Sequence, residues 1–90
     1  MTVQGVVASI TATNKAAEDH VSLVSSIAVN LQAVVAKYRA KSGDHGWTYS
    51  CIGWRNSGPY MMVPQHTDLL TLQDSLQECL PEYGVMVTES

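Results

Sequence analysis

The spacing of apolar residues changes along this chain, and the order of those changes restricts the fold more than any other feature. In residues 3–12, Val6, Ala8 and Ile10 alternate with Val7 and Ser9 in a β-branched run. That two-residue period predicts a strand. Thr13 or Asn14 is then placed to cap a helix, with Glu18 and Asp19 in its first turn, where the helix dipole favours carboxylates. Ala17, Val21, Val24, Ala28, Leu31, Val35 and Tyr38 recur at every third or fourth position, and Ile27 and Val34 widen the stripe. The spacing predicts one continuous helix to about Lys41, with Lys37, Arg39 and Lys41 in its last turns and Gly43 as its left-handed terminator.

The rest of the chain reads as a hairpin, a second helix and a last strand. Residues 47–54 are aromatic and β-rich, Arg55 to Pro59 form a turn, and residues 60–63 make the second strand, closed by Pro64. Thr67 or His66 begins a second helix with Asp68 in its first turn. Its stripe is Leu69, Leu72, Leu76 and Cys79 or Leu80, and Pro81 ends it. Gly84 precedes a final strand at residues 85–88. The order β-α-β-β-α-β predicts a single domain over residues 1–90 of the α+β class. It is the ferredoxin-like split βαβ arrangement, a four-stranded antiparallel sheet with two helices on one face.

Composition narrows what such a domain does. Charged residues make up 14% of the 90, against about 25% in ordinary soluble domains. A hydrophobic content of 46% and a net charge of −3 exclude an intrinsically disordered chain and a basic nucleic-acid module. Two cysteines are too few for a disulfide-stapled miniprotein. Residues 1–14, 20–36 and 56–67 hold no Lys, Arg, Asp or Glu. A small domain with such bare stretches is expected to cover part of its surface by self-association, and a homodimer is preferred over a monomer with a Ser/Thr-rich face.

No membrane span is expected. The best candidate, residues 21–36, is shorter than about 20 residues and is interrupted by Ser22, Ser25, Ser26, Asn30 and Gln32. No signal peptide is expected at Met1-Thr2-Val3-Gln4, which lacks a positive segment. Cys51 and Cys79 are accordingly read as reduced thiols in a cytoplasmic setting, a single disulfide between them being the alternative.

Alternation on the middle strands puts Trp47, Tyr49 and Cys51 on one face and Thr48, Ser50, Ile52 and Trp54 on the other. Tyr60 and Met62 oppose Met61 and Val63 in the same way. Whichever face stays open carries a Trp or Tyr with aliphatic or Met neighbours, the make-up of a contact surface. The candidate binding residues are therefore Trp47, Tyr49, Trp54, Tyr60 and Met62.

Val6-Val7-Ala8-Ser9-Ile10-Thr11-Ala12, followed by Ala17-Glu18-Asp19-His20-Val21-Ser22-Leu23-Val24, resembles the opening strand and helix of the antibiotic-biosynthesis-monooxygenase-like proteins of the dimeric α+β-barrel group. Arg39-Ala40-Lys41-Ser42-Gly43, with Tyr49 in the next strand, is similar to their helix exit. The resemblance covers about half of the chain. Asn14-Lys15-Ala16 replaces the usual Pro-Gly loop, the first helix is longer, and the Trp-Glu pair that often ends the third strand is missing near Val63-Pro64. The resemblance implies a homodimer joined through open sheet faces, with a small cavity between sheet and helices in each protomer. Some members oxidise aromatic polyketides without metal or flavin, others degrade haem, and many have no known activity.

No motif that carries chemistry stands out. CxxC, HExxH, GxSxG, P-loop and Rossmann fingerprints are all missing. His20, His45, His66 and Cys51 lack the spacing of metal ligands, so no metal and no cofactor are expected. Mid-strand Cys51 and late-helix Cys79 are read as small packing hydrophobes. Asp44 beside His45 is the best acid–base pair, with a polar turn as its plainer reading, and His66 is the other proton-transfer candidate. The RNA-recognition module of the same topology needs basic and aromatic residues in a set pattern that this chain lacks, so no nucleic acid is expected.

Two functions remain. The first is a non-catalytic, small acidic interaction protein of inhibitor or adaptor type, binding a protein partner through a low-charge helix or sheet face. The alternative is a cofactor-independent, monooxygenase-like enzyme acting on a small aromatic substrate. Its cavity, between sheet and helices, would use Trp47, Tyr49 and Trp54, with His45 or His66 moving protons. The sequence leans to the first.

Overall fold

The computed structural model describes residues 5–12, 20–55 and 58–89. The start of the expected first strand (within residues 1–4), the helix-cap and first-turn residues Thr13, Asn14, Lys15, Ala16, Ala17, Glu18 and Asp19, the turn residues Asn56 and Ser57, and the side chains of Ala12, His20, Val21, Ser22 and Arg55 lie outside the described residues. The elements run β1 (Gly5–Ala12), α1 (His20–Val29), α2 (Leu31–Ser42), β2 (Cys51–Arg55), β3 (Gly58–Pro64), α3 (Leu69–Cys79) and β4 (Val85–Glu89). The chain is thus α+β. Its four strands form one sheet in the order β2-β3-β1-β4, every neighbouring pair antiparallel.

Alternation decides which side of the sheet is buried. Ala8 and Ile10 of β1, Met61 and Val63 of β3, and Val85 and Val87 of β4 are buried in one cluster with Leu23, Ile27, Val34, Tyr38, Leu72 and Leu76 of the helices. The intervening residues lie on the opposite side. There the register sets Val7 and Cys51 on either side of Met62, and Ser9 and Gly53 on either side of Tyr60. A Cβ on Gly53 would come within 2.8 Å of the Tyr60 hydroxyl. The missing side chain is what lets the Tyr60 ring lie across the neighbouring strand.

The single helix expected over residues up to about 41 is two helices. Asn30, at φ −102° and ψ 4°, ends α1, and its N–H donates to the Ile27 carbonyl at 3.0 Å instead of one residue further back. The Asn30 side-chain amide donates to the Ser26 carbonyl at 2.8 Å, supplying the bond that the backbone skipped. The Asn30 carbonyl then accepts from Val34 N–H at 2.9 Å and starts α2. The buried stripe also differs from the expected one. Leu23, Ile27, Val34 and Tyr38 are its centre, whereas Ala28 is exposed and Val24, Leu31 and Val35 are half-buried. Turning the larger side chains inward removes more apolar area from water than burying Val24 and Ala28. Gly43 ends α2 in the left-handed region at φ 78°, its N–H on the Arg39 carbonyl.

Asp68 does not lie in the first turn of α3 but caps it, accepting from Leu70 N–H at 3.1 Å and Thr71 N–H at 3.5 Å. Leu72, Leu76 and the following Leu80 are buried, while Leu69 and Cys79 pack half-buried beside them. The other side of α3 closes the sheet edge. Gln77 Oε1 accepts from Val85 N–H at 2.8 Å, and Gln73 Oε1 accepts from Val87 N–H at 3.0 Å. These amides belong to the outer strand β4, so side chains of α3 occupy hydrogen bonds that a further strand would otherwise take. No helix among the described residues is long and apolar enough to cross a membrane.

Candidate functional site

The segment between α2 and β2 holds four of the candidate residues, Asp44, His45, Trp47 and Tyr49. Its anchor is Trp47, which precedes β2 and is not part of a strand running from 47 to 54. Only 1% exposed, Trp47 stacks on Tyr38 with ring centroids 4.1 Å apart. Its indole N–H donates to Thr67 Oγ1 at 2.8 Å, and its carbonyl accepts from Arg39 Nε at 2.7 Å. Tyr38 Oη in turn accepts from Asp68 N–H at 2.9 Å. One buried ring pair therefore ties α2, the segment before β2 and the start of α3 together. Trp47 is structural core in this arrangement, not the wall of a cavity.

The chain thereby brings Asp44 to His66, 22 residues away, instead of to its neighbour His45. Asp44 Oδ2 lies 2.8 Å from His66 Nε2, and Asp44 Oδ1 accepts from Gly46 N–H at 3.2 Å. The His66 hydrogen bond holds the Asp44 carboxyl below its ordinary value of 3.8. The pair is a carboxylate-oriented imidazole, but the His66 side chain is 66% exposed. A general base needs a substrate held within hydrogen-bond reach, and this pair faces water. His45 is exposed.

The candidate binding residues do not converge. Trp47 is interior, Tyr49 is half-buried beside α2, Trp54 is 52% exposed at the end of β2, and Tyr60 and Met62 are half-buried on the side of the sheet away from the described helices. Cys51, expected to pack as a small hydrophobe, is exposed, and Cys79 is half-buried with its thiol pKa raised by burial. Both thiols are free. Among the described residues no group of three or more His, Cys, Asp or Glu is placed to hold a metal ion.

Two surfaces were only partly legible in the sequence. The first is an open depression of about 300 Å³ lined by Leu31, Gln32, Val35, Ala36, Arg39, Thr48 and Tyr49. It lies on α2 and not between sheet and helices, and neither His45 nor His66 lines it. Of its residues only Tyr49 is a candidate binding residue by sequence; Arg39 lies at a helix end as a dipole partner, and its spacing carries no sign of a groove. The second is the outer side of α1 and α2. Ser25, Ala28, Val29, Gln32, Ala33 and Ala36 are exposed, with Val29 at 81%. The cations that follow turn elsewhere: Lys37 and Lys41 both pair with Glu78 of α3, and Arg39 reaches Trp47. The Lys41 hydrogen bond, then that of Lys37, holds the Glu78 carboxyl below its ordinary 4.5, and the same bond raises Lys41 above 10.5.

No protein-family model matches this chain, and no curated protein or solved structure matches it at a significant level.

Proposed function

We propose that this chain is a non-catalytic interaction protein that holds a protein partner through the charge-free side of α1 and α2. The observation that carries this reading is the exposed run Ser25, Ala28, Val29, Gln32, Ala33 and Ala36, in a stretch without Lys, Arg, Asp or Glu. Solvent-facing helix surface ordinarily carries charge, and depletion of charge marks the centre of a protein contact. Turning Lys37 and Lys41 toward Glu78 keeps their ammonium groups on α3.

A homodimer through the side of the sheet away from the described helices is part of the same proposal. Its support is the low-charge row of Val7, Met62 and Cys51 together with Met86, 45% exposed. The finer architecture we propose is the ferredoxin-like split βαβ, with α1 and α2 together as the first crossover and α3 as the second. The strand order β2-β3-β1-β4 and the antiparallel pairing support it. A cytoplasmic setting is proposed on the two free thiols. The monooxygenase-like alternative draws less support, because the depression beside Tyr49 lacks both candidate histidines and every strand residue.

Capture from an extract of the cells that make the protein tests the reading. Wild type retains a partner, and the exposed substitutions Ala28→Lys and Ala33→Glu abolish capture with unchanged circular dichroism. Capture undiminished by either substitution overturns the helix-face reading. Light scattering at micromolar concentration tests the dimer, and a clean 9.8 kDa species removes it.

A further inference from the structure

We infer that the depression on α2 is a binding site for an apolar carboxylate: an aryl or short alkyl group on the aliphatic floor, with its acid group on Arg39. At about 300 Å³ it sits at the small end of ligand pockets, sized for one ring and a short acid tail. Leu31, Val35 and Ala36 provide apolar contact, and Tyr49 stands as an aromatic wall.

Arg39 is the charged group of the lining. Its Nε donates to the Trp47 carbonyl at 2.7 Å, and Trp47 is itself fixed by the Tyr38 stack and the Thr67 bond. The guanidinium is thereby positioned before any ligand arrives, which reduces the ordering that binding would otherwise require. No carboxylate among the described residues forms an ion pair with Arg39. The Arg39 charge acts on Asp44 through space, and the two Asp44 oxygens are engaged by His66 and by Gly46 N–H. Guanidinium forks match carboxylates in geometry, and the bond is charge-assisted. The groove therefore selects an acid over its amide and over an amine.

Such a group has two sources, a free small acid or the C-terminal carboxylate of a chain ending in an apolar residue. The site goes beyond the partner reading. Gln32 and Ala36 belong to both surfaces, but the substitutions that test the partner reading, at Ala28 and Ala33, lie outside the groove lining, so loss of capture and loss of acid binding are read separately.

The test is titration of the ¹⁵N-labelled protein with 3-phenylpropanoate, 3-phenylpropanamide and 3-phenylpropylamine, and with the tripeptide Gly-Gly-Phe as free acid and as amide. Each acid is expected to shift the amides of Leu31, Val35, Ala36 and Tyr49 and the Arg39 Nε–H, and to bind at least about tenfold more tightly than its amide. Ala36→Trp, which fills an exposed groove without touching the core, abolishes the shifts. Arg39→Lys weakens acid binding about tenfold and leaves the amides unchanged. A tripeptide acid tighter than 3-phenylpropanoate assigns the site to a chain terminus, and the reverse order assigns it to a free acid. Acid and amide affinities within twofold, shifts confined to other residues, or undiminished binding by Ala36→Trp each overturn the inference.

Discussion

Replacing Trp47 with phenylalanine tests how the segment before β2 is held. The substitution keeps a ring on Tyr38 but removes the indole N–H that donates to Thr67 Oγ1 at 2.8 Å. Loss of that bond costs about 1 kcal/mol. The five-membered ring also leaves a site that is 1% exposed, and the cavity adds about 1–3 kcal/mol. The expected total is roughly 2–4 kcal/mol, out of the roughly 5–13 kcal/mol that 90 residues provide. Urea unfolding followed by far-ultraviolet circular dichroism measures the change, and the melting temperature should fall by roughly 8–30 °C. A cycle with Thr67→Val isolates the hydrogen bond, with an expected coupling of about 1 kcal/mol. A total cost below about 0.5 kcal/mol, or no coupling, refutes the view that one buried ring pair joins α2, this segment and the start of α3.

Other parts of the structure make independent predictions. Gln73→Ala and Gln77→Ala each cost about 1 kcal/mol, speed hydrogen exchange at Val87 and Val85 respectively, and raise concentration-dependent association by freeing the β4 edge. The lowered Glu78 carboxyl stabilises the fold fully above its ordinary value of 4.5, and that contribution fades as pH falls through its lower folded value. Glu78→Gln should therefore flatten the acid limb of stability measured by urea midpoint. Cys51 is exposed in the single protomer, whereas burial raises the Cys79 thiol, so iodoacetamide followed by mass spectrometry should modify Cys51 well before Cys79 in dilute protein, and the proposed sheet-face dimer should slow Cys51 as concentration rises.

Much of the frame is readable from local chemistry. Alternation in residues 5–12, the glycine at 43 and the prolines at 64 and 81 act within a few residues, and the strands and helix ends they predict are present to within a few positions. The break at Asn30 was not readable, because nothing in the sequence sets it apart from the other polar residues of the stretch. Its effect arises when its amide takes the Ser26 carbonyl while its backbone shifts to Ile27. Trp47 continues an aromatic β-like run, yet burial against Tyr38 outweighs that preference and draws it off the strand. The site depends still more on tertiary packing. Asp44 meets His66 only because the segments before β2 and α3 lie side by side, and no spacing along the chain encodes that meeting. The bare stretch at residues 20–36, by contrast, is visible as composition, and over residues 23–36 the structure divides it into a buried side and an exposed, charge-free one.

The most direct test of the interaction reading is the affinity of the captured partner for wild type and for Ala33→Glu and Ala33→Lys, measured by calorimetry with fold and melting temperature matched. Burial of Ala33 in a contact centre predicts that both signs of charge weaken binding at least about tenfold, since either must be desolvated. Affinities within twofold of wild type for both variants would contradict it.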